Sequence, residues 1–387
     1  MKTEAVLAQA PVEVRPVSSP RERRVFINLP WQIYRGDPNW VPPLLSSIRK
    51  LLDPKRHPFH EHAEVRLYLA WRGGRPVGRI AAIVNRLHNS YHQDTTGFWG
   101  FFDVFPDAEA CRALLDTAAG DLKARGMTVM AGPFSPSINS ECGVLVEGFD
   151  KAPTVMMPYN LPYYPSLIEA AGLRPSKELY AYHLETERVL ADAPRRQRLE
   201  RIAAAVRRRH PDITVRCLDM KHYRADVIAL GKLFDAARRR NWGYVPATDA
   251  ELLAMAAEMK LIVEPELVLI AERRGEPLGC VIAIPDINLA LGRINGRLLP
   301  FGWASLLWHK RRIRSLRVFG AACLPEHRNL GVIPLLFAEL IANCTKLGYT
   351  EAELSWVAAD NLAPVRTLES ALHPVVAKRY LIYSREL

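Results

Sequence analysis

One pattern of hydrophobic and polar residues occurs twice in the chain, and the two copies lie 201 residues apart. Residues 67–83 read LYLAWRGGRPVGRIAAI, and residues 268–284 read VLIAERRGEPLGCVIAI. Each copy has an apolar run, a polar turn with glycine and a second apolar run, which is the pattern of a β-hairpin. Seven positions are identical without a gap: Ala70/Ala271, Arg72/Arg273, Gly74/Gly275, Pro76/Pro277, Gly78/Gly279, Ala82/Ala283 and Ile83/Ile284. A period near 200 residues predicts a duplicated domain rather than a solenoid.

The segments after the two hairpins follow the same order. A strand-like run, a proline, a helical run closed by glycine and another strand cover residues 97–131 in the first half and 316–357 in the second. Hairpin, strand, helix and strand in this order predict an α/β fold, with α+β mixed sheets covered by helices. We predict four segments: an N-terminal wrap of the first module (1–60), the first module (61–185), a basic linker (186–216) and the second module (217–387).

The halves differ where the strand leads into the helix. In the first half the helical pattern starts directly after Pro106, whereas the second half inserts EHRNLGVI between Pro325 and Pro334. Pro334 suits the first turn of a helix, where its missing N–H costs nothing. Unpaired backbone N–H groups and the helix dipole make such a turn an anion site suited to a pyrophosphate. An ordinary strand-to-helix loop explains the same pattern.

This loop resembles the signature of the GNAT superfamily of acyl-CoA N-acyltransferases, Arg/Gln-x-x-Gly-x-Gly/Ala. Arg328 and Gly331 match the first two signature positions, and Ile333 departs from the third. Further phrases resemble a bacterial subgroup of two-module GNAT proteins that includes ceramide synthase-like enzymes: GPFSPSINSECGVLVEGFD (132–150), MMPYNLPYY (156–164), NWGYVPATDAE (241–251), PDIN (285–288) and ELSWVAADN (353–361).

The resemblance implies two tandem GNAT-like modules, an acyl-CoA donor, an amine acceptor and no metal. A long-chain sphingoid base is one candidate acceptor. The first module lacks the phosphate loop and is predicted to be a scaffold that completes the acceptor site. The residues that the resemblance assigns to coenzyme A are Leu324, His327, Arg328, Asn329, Leu330, Gly331, Val332, Ile333 and Asn361.

Transfer of an acyl group to an amine requires a base, an oxyanion donor and an acid for the leaving thiolate. Glu353 and Asp286 are the candidate bases, although a carboxylate near a loop is more often solvated or salt-bridged. Backbone N–H groups of residues 320–323 are the expected oxyanion donors. The tyrosine that usually serves as the acid in the family would fall on Leu368, so Cys323 or a water molecule is the substitute.

Polar and aromatic residues outside the loop are candidates for the acceptor site. They are Asn139, Glu141, Tyr159, Asn160 and Tyr163 in the first half, and Asn241, Trp242, Tyr244, Asn288 and Trp356 in the second. Turn formation and packing are the alternative roles for these residues. His57, His60 and His62 lie close together, but they lack a cysteine partner or a helical pair and do not predict a metal site.

Composition narrows the setting of this activity. The chain has 387 residues and a formal net charge of +11, with basic runs at 195–201, 207–209, 238–240 and 309–317. Such a surface suits anionic lipid, nucleic acid or the phosphates of a cofactor. The six scattered cysteines suit reduced thiols, and neither a signal peptide nor an apolar span is evident. We therefore expect a cytoplasmic protein, and peripheral association with the inner membrane is a candidate location. Two alternatives stay open: an aminoacyl-tRNA-dependent transferase, and an inactive lipid- or CoA-binding protein.

Overall fold

The computed structural model describes residues 10–239, 241–298, 300–361 and 374–387. The chain divides into two units. The first unit holds residues 10–178, 295–297 and 378–387, and the second unit holds the described residues of 179–294 and 298–377. Both units combine helices with sheets of parallel and antiparallel strands, as the sequence predicted.

The first unit is built on a sheet in the order β1-β2-β3-β4-β5-β15, with β8 also paired to β15. The strands are β1 (Val12–Pro16), β2 (Ala63–Arg72), β3 (Arg75–Asn85), β4 (Thr96–Val104), β5 (Val129–Gly132), β6 (Phe134–Ser135), β7 (Glu141–Cys142), β8 (Val144–Glu147) and β15 (Val375–Glu386). The helices are α1 (Pro20–Asn28), α2 (Pro30–Ile33), α3 (Leu45–Leu51), α4 (Arg86–His92), α5 (Ala108–Ala124) and α6 (Tyr164–Ala170).

Helix α5 supplies much of the core of the first unit. Its apolar residues recur at helical spacing and bury one face, including Leu114, Leu115 and Leu122, against the sheet around Trp99. Asp107 caps the helix by accepting the N–H of Ala110 at 3.0 Å.

The second unit has a sheet in the order β9-β14-β13-β12-β11-β10. Its strands are β9 (Arg174–Glu185, of which residues 179–185 belong here), β10 (Ile213–Cys217), β11 (Val268–Arg273), β12 (Glu276–Pro285), β13 (Ser315–Cys323) and β14 (Glu351–Ala358). Its helices are α7 (Thr186–Ala191), α8 (Ala193–Arg209), α9 (Tyr223–Arg238), α10 (Asp249–Met259), α11 (Asn288–Ile294), α12 (Gly302–Lys310) and α13 (Val332–Leu347). Helices α9 and α10 cover one face of this sheet, where Cys280 and Ala322 are buried, and α13 also packs against strands β11, β12 and β13.

Two strands lie in units that the sequence boundaries did not assign them to. The C-terminal strand β15 pairs with β5 of the first unit, and β9, which the predicted boundaries placed in the first module, pairs with β14 of the second unit. The predicted boundaries at 185 and 217–387 therefore differ from the units of the structure. Hydrophobic alternation identifies a strand, but it carries no information about which of two similar sheets the strand joins.

The predicted basic linker, 186–216, contains regular structure within the second unit. Helix α8 buries Ala203 and Val206 and packs on α13, while β10 pairs with β11. Most arginines of α8 lie on its exposed face, as a solvated helix face would require.

Candidate active site

The site of the second unit begins where two parallel strands separate. Strands β13 and β14 are in register only over Ser315–Val318 and Glu351–Leu354, although they continue to Cys323 and Ala358. Strand β13 also has a bulge against β12, between the pairs Ile282/Gly320 and Ala283/Val318. A gap therefore opens beside the second half of β13, the part of the strand that leads into the predicted phosphate loop.

A row of polar side chains crosses the sheet just before this gap. Arg317 of β13 is the register partner of Glu353 on β14, and Glu353 in turn lies opposite His183 on β9. Register partners point to the same face of a sheet. The sheet therefore places a cation, a carboxylate and an imidazole side by side.

Glu353 is held in a buried hydrogen-bonded bridge. Arg317 Nε donates to Ser355 Oγ at 2.9 Å, and Ser355 Oγ donates to Glu353 Oε1 at 2.7 Å. All three side chains are at most 6% exposed. A buried carboxylate is tolerated when it is hydrogen-bonded and close to a cation, and this arrangement provides both.

A second cation lies beside the bulge of β13. Arg238, at the end of α9, stacks 4.4 Å above the Phe234 ring and points Nη2 at the Ala321 carbonyl, 3.4 Å away. Burial lowers the pKa of Arg238 below its usual range, and the Cys280 thiol and the Tyr244 phenol lie within electrostatic reach. The absence of a side chain at Gly320 leaves room for this guanidinium, since a Cβ there would lie too close to Arg238 Nη2.

The predicted phosphate loop leads directly into α13. A 3-10 helix (Pro325–Leu330) follows β13, Gly331 adopts φ +79°, and α13 starts at Val332. No side chain of the described residues caps α13, and its first turn contains no acid. Such a terminus offers backbone donors and a partial positive charge to an anion, so these residues fit a pyrophosphate.

Two residues of the GNAT signature make contacts inside the protein. Arg328 Nη2 donates to the Ala237 carbonyl at 3.0 Å, at the C-terminal end of α9. A Cβ on Gly331 would lie 2.8 Å from Val206 Cγ2 on α8, so this glycine also permits close helix packing. Leu324, His327, Asn329, Leu330 and Ile333 complete the loop, and Arg328 and Asn329 are exposed.

The equivalent helix of the first unit carries its own anions. Asp107 caps α5, Glu109 lies in the first turn, and Arg72 forms ion pairs with both carboxylates at 2.9 and 2.7 Å. A phosphate at this helix would meet two carboxylates instead of free N–H donors.

The gap between strands is also filled in the first unit. Strands β4 and β5 are in parallel register only over residues 96–98 and 129–131. The chain then returns as β6, where Ser135 Oγ accepts the N–H of Phe101 at 3.0 Å. A Cβ on Gly100 would overlap the Phe134 carbonyl oxygen. The backbone of the first unit therefore fills the position beside β4 that corresponds to the second half of β13, where the register with β14 has ended.

The remaining catalytic candidates have clear local roles. Asp286 is buried and accepts the N–H of Asn288, also buried, at 3.2 Å, at the start of α11. Cys323 is buried at the end of β13, and burial raises the pKa of its thiol to about 11. The role of Cys323 as the acid stays a prediction. Asn361 follows β14, with its N–H bonded to the Ala358 carbonyl, and Leu368 lies outside the described residues.

The aromatic candidates of the second unit lie near the gap. Tyr244 is close to Arg238, and the turn that contains it is closed by the Tyr244 N–H bonding to the Asn241 carbonyl at 3.2 Å. Trp242 is 36% exposed on the same turn, and Trp356 is half-buried on β14.

The acceptor candidates of the first unit have mostly structural contacts. Asn160 bonds the Leu145 N–H and carbonyl, at 2.7 and 3.1 Å, and thereby clamps β8. Tyr163 Oη donates to the Val104 carbonyl at 2.7 Å, and Tyr159 Oη donates to Asp37 at 2.9 Å. Asn139 and Glu141 lie in the turn and strand that follow β6.

The three clustered histidines have structural partners. His57 Nδ1 accepts the N–H of Phe59, His60 Nε2 lies 2.9 Å from the Leu51 carbonyl, and His62 Nδ1 lies 3.2 Å from Asn85 Oδ1. Within the described ranges, no group of three or more metal-ligating side chains occurs.

Sequence reasoning missed Arg238 and His183. Arg238 belongs to the basic run at 238–240, for which we predicted no individual site residue, and only its contact beside Gly320 distinguishes it. His183 lies on β9, which the sequence boundaries placed in the first module. Knowledge of the strand pairing was needed to bring it next to Glu353.

Two full-length relatives are similar to this chain in sequence. No family model matches the chain. The chain is 34% identical to the bacterial ceramide synthase of Caulobacter vibrioides over 98% of both chains, and 32% identical to protein YghO of Escherichia coli K12 over 97% of this chain and 95% of that protein.

Solved structures match the fold over nearly the whole chain. A tandem GNAT protein from the clavulanic acid biosynthesis pathway superimposes with a TM-score of 0.55 at 13% identity, covering 97% of this chain and 98% of the other. A GCN5-related N-acetyltransferase from Sphaerobacter thermophilus gives 0.50 at 13% identity, covering 97% and 95%. At this identity the likeness shows the fold alone, and it confirms the predicted tandem GNAT architecture.

The fold and the split strands define a tandem protein of the GNAT class. The full-length relationship is more specific: the chain belongs to the family of the Caulobacter bacterial ceramide synthase and is an acyltransferase. None of its described helices has the length and apolar character needed to cross a bilayer.

Proposed function

We propose that this protein transfers an acyl group from acyl-CoA to the amine of a long-chain sphingoid-type base. The name of the Caulobacter relative supports the lipid product. The observation that carries the donor assignment is the uncapped, acid-free first turn of α13 beside the gap between β13 and β14. The equivalent helix and gap of the first unit are filled by Asp107, Glu109 and Phe134.

In this proposal the second module holds the donor. The N–H groups at the start of α13 bind the pyrophosphate, and the pantetheine arm lies along the gap toward the bulge of β13. The first module keeps no donor site and serves as a scaffold. The predicted roles of its Asn139, Glu141, Tyr159, Asn160 and Tyr163 in acceptor binding stay predictions.

The chemistry follows from the polar row and the bulge. Glu353, directly or through one water molecule, accepts a proton from the acceptor ammonium, and the amine nitrogen then attacks the thioester carbon. Negative charge that develops on the carbonyl oxygen is stabilised by backbone N–H groups of residues 320–323 and by the Arg238 guanidinium. The C–S bond breaks as the amide forms, and a water molecule passes the second proton of the attacking nitrogen to the leaving CoA thiolate. Glu353 releases the first proton to solvent.

The test is product formation from defined substrates. Purified protein is incubated with long-chain acyl-CoA and either a sphingoid base, a simple alkylamine or no amine, and amide and free CoA are measured by mass spectrometry. The proposal predicts amide and CoA in equal amounts with the sphingoid base. It would be overturned by acyl-CoA binding without transfer to any amine, or by activity that requires aminoacyl-tRNA and falls steeply with salt.

A further inference from the structure

The second unit carries an insertion that the first unit lacks. Strands β3 and β4 are joined by ten residues, 86–95, that form the single short helix α4. The equivalent connection between β12 and β13 covers residues 286–314 and contains helices α11 and α12. The hairpins that precede the two connections align without a gap, so the repeat itself does not account for the added residues.

The insertion exposes large apolar side chains. Phe301, Ala304 and Trp308 recur three and four residues apart, so they share one face of α12. Phe301 is 77% exposed and Trp308 is 63% exposed. Leu261 is 75% exposed and lies beside this helix, since Lys310 Nζ donates to its carbonyl at 2.9 Å. Several exposed aromatic side chains on one short helix mark a contact surface rather than ordinary surface composition.

The same segment is strongly basic. Residues 287–314 contain no Asp or Glu and six cationic side chains, namely Arg293, Arg297, Lys310, Arg311, Arg312 and Arg314. Arg311 and Arg312 follow the C-terminal end of α12, and the Arg312 guanidinium lies 5.2 Å from the Trp308 ring centroid. Neighbouring tryptophan and arginine side chains are typical of protein surfaces that lie at a membrane–water interface.

We infer that the exposed face of α12 with Phe301, Ala304 and Trp308, together with Arg311 and Arg312 at its C-terminal end, docks the protein on an anionic lipid bilayer. The aromatic rings insert at the level of the headgroups, and the arginines pair with lipid phosphates. A second copy of the chain is a poor occupant, because it would bring two sets of these cations together. The inference extends the proposed function, since a sphingoid acceptor has to be taken from a membrane.

The test is flotation with vesicles and without acyl-CoA, so failure of acyl transfer does not affect its outcome. Wild-type protein is mixed with vesicles of phosphatidylcholine alone or with about 30% phosphatidylglycerol. We expect binding to the anionic vesicles only, weakening as salt is raised. Phe301→Ser/Trp308→Ser and Arg311→Gln/Arg312→Gln should each reduce the partition coefficient roughly tenfold or more.

The matched control removes two exposed apolar side chains elsewhere. Val375→Ser/Val376→Ser, at positions 57% and 42% exposed on β15, should bind like wild type. Circular dichroism and thermal melting establish that all variants are folded. The inference fails if wild-type protein ignores anionic vesicles, or if the Phe301/Trp308 variant binds as well as the control. It also fails if sedimentation shows a wild-type dimer that this variant dissociates, because the face would then be a protein interface.

Discussion

Substitution of Glu353 by glutamine separates a catalytic carboxylate from a structural one. The amide has nearly the same volume as the carboxylate, and its oxygen can still accept the 2.7 Å hydrogen bond from Ser355 Oγ. The change therefore removes the charge and the capacity to accept a proton while keeping the packing of a side chain that is 6% exposed.

The expected effects differ in size. Loss of a general base lowers the rate of the chemical step about 100- to 10,000-fold. Loss of a buried charge-assisted hydrogen bond costs about 1.5–3 kcal/mol of folding stability. If Glu353 is the base, kcat falls by two orders of magnitude or more, while the Kd for acyl-CoA is unchanged and the protein remains folded.

The assay measures amide formation at saturating acyl-CoA, with acyl-CoA affinity and urea unfolding measured on the same preparations. Glu351→Gln is the matched control, because Glu351 lies two residues earlier on the same strand and is exposed. Its kcat should equal that of wild type. If Glu353→Gln loses stability but keeps kcat within about threefold of the control, the catalytic assignment is wrong and Glu353 only balances the charge of Arg317.

Three further predictions concern stability. The ion pair between Arg79 and Asp103 is buried, with a distance of 2.6 Å, and Cys280 and Ala322 take these positions in the second unit. Arg79→Cys and Asp103→Ala should each lower the free energy of unfolding in urea by about 3–5 kcal/mol, and the double variant should lose clearly less than the sum. Additive losses would contradict the coupling of the two side chains. Burial lowers the pKa of His88 to about 4. The unfolded chain therefore takes up a proton as pH falls from 6.5 to 4 and the folded chain does not, so roughly 3 kcal/mol of stability is lost across that window; His88→Gln should flatten the profile, and an unchanged profile would refute this. Gly331→Ala places a Cβ 2.8 Å from Val206 Cγ2 at φ +79° and should cost about 1–3 kcal/mol in urea unfolding. Adding Val206→Ala should recover only the part due to the side-chain contact, and a neutral Gly331→Ala would contradict the prediction.

Local pattern predicted the elements more successfully than their partners. The structure contains the predicted hairpins at 67–83 and 268–284 and the predicted helices that end before Gly126 and Gly348. Hydrophobic alternation, turn glycines and helix ends depend on neighbouring residues, so they can be predicted from a short stretch of sequence. The exchange of β9 and β15 between units depends on the competition of two similar sheets for a strand, which no local pattern reports.

The candidate site was predictable to the same extent. The loop with Gly331 and the carboxylate of Glu353 stand out in the sequence because they belong to short motifs. His183 became visible only through the pairing of β9 with β14, and Arg238 only through the missing side chain at Gly320. The exposed face of α12 was also not predicted, because a helix with apolar residues is expected to bury them.

Calorimetry with CoA and a long-chain acyl-CoA tests whether the second module binds acyl-CoA at the start of α13. Ile333→Asp places a carboxylate in the first turn of α13, where it interacts favourably with the helix dipole but repels a pyrophosphate. Ala342→Asp puts the same charge on an exposed position of the same helix, about 14 Å further along. We expect wild type and Ala342→Asp to bind alike and Ile333→Asp to bind at least tenfold more weakly. Absence of binding to wild type, or equal binding by folded Ile333→Asp, would contradict it.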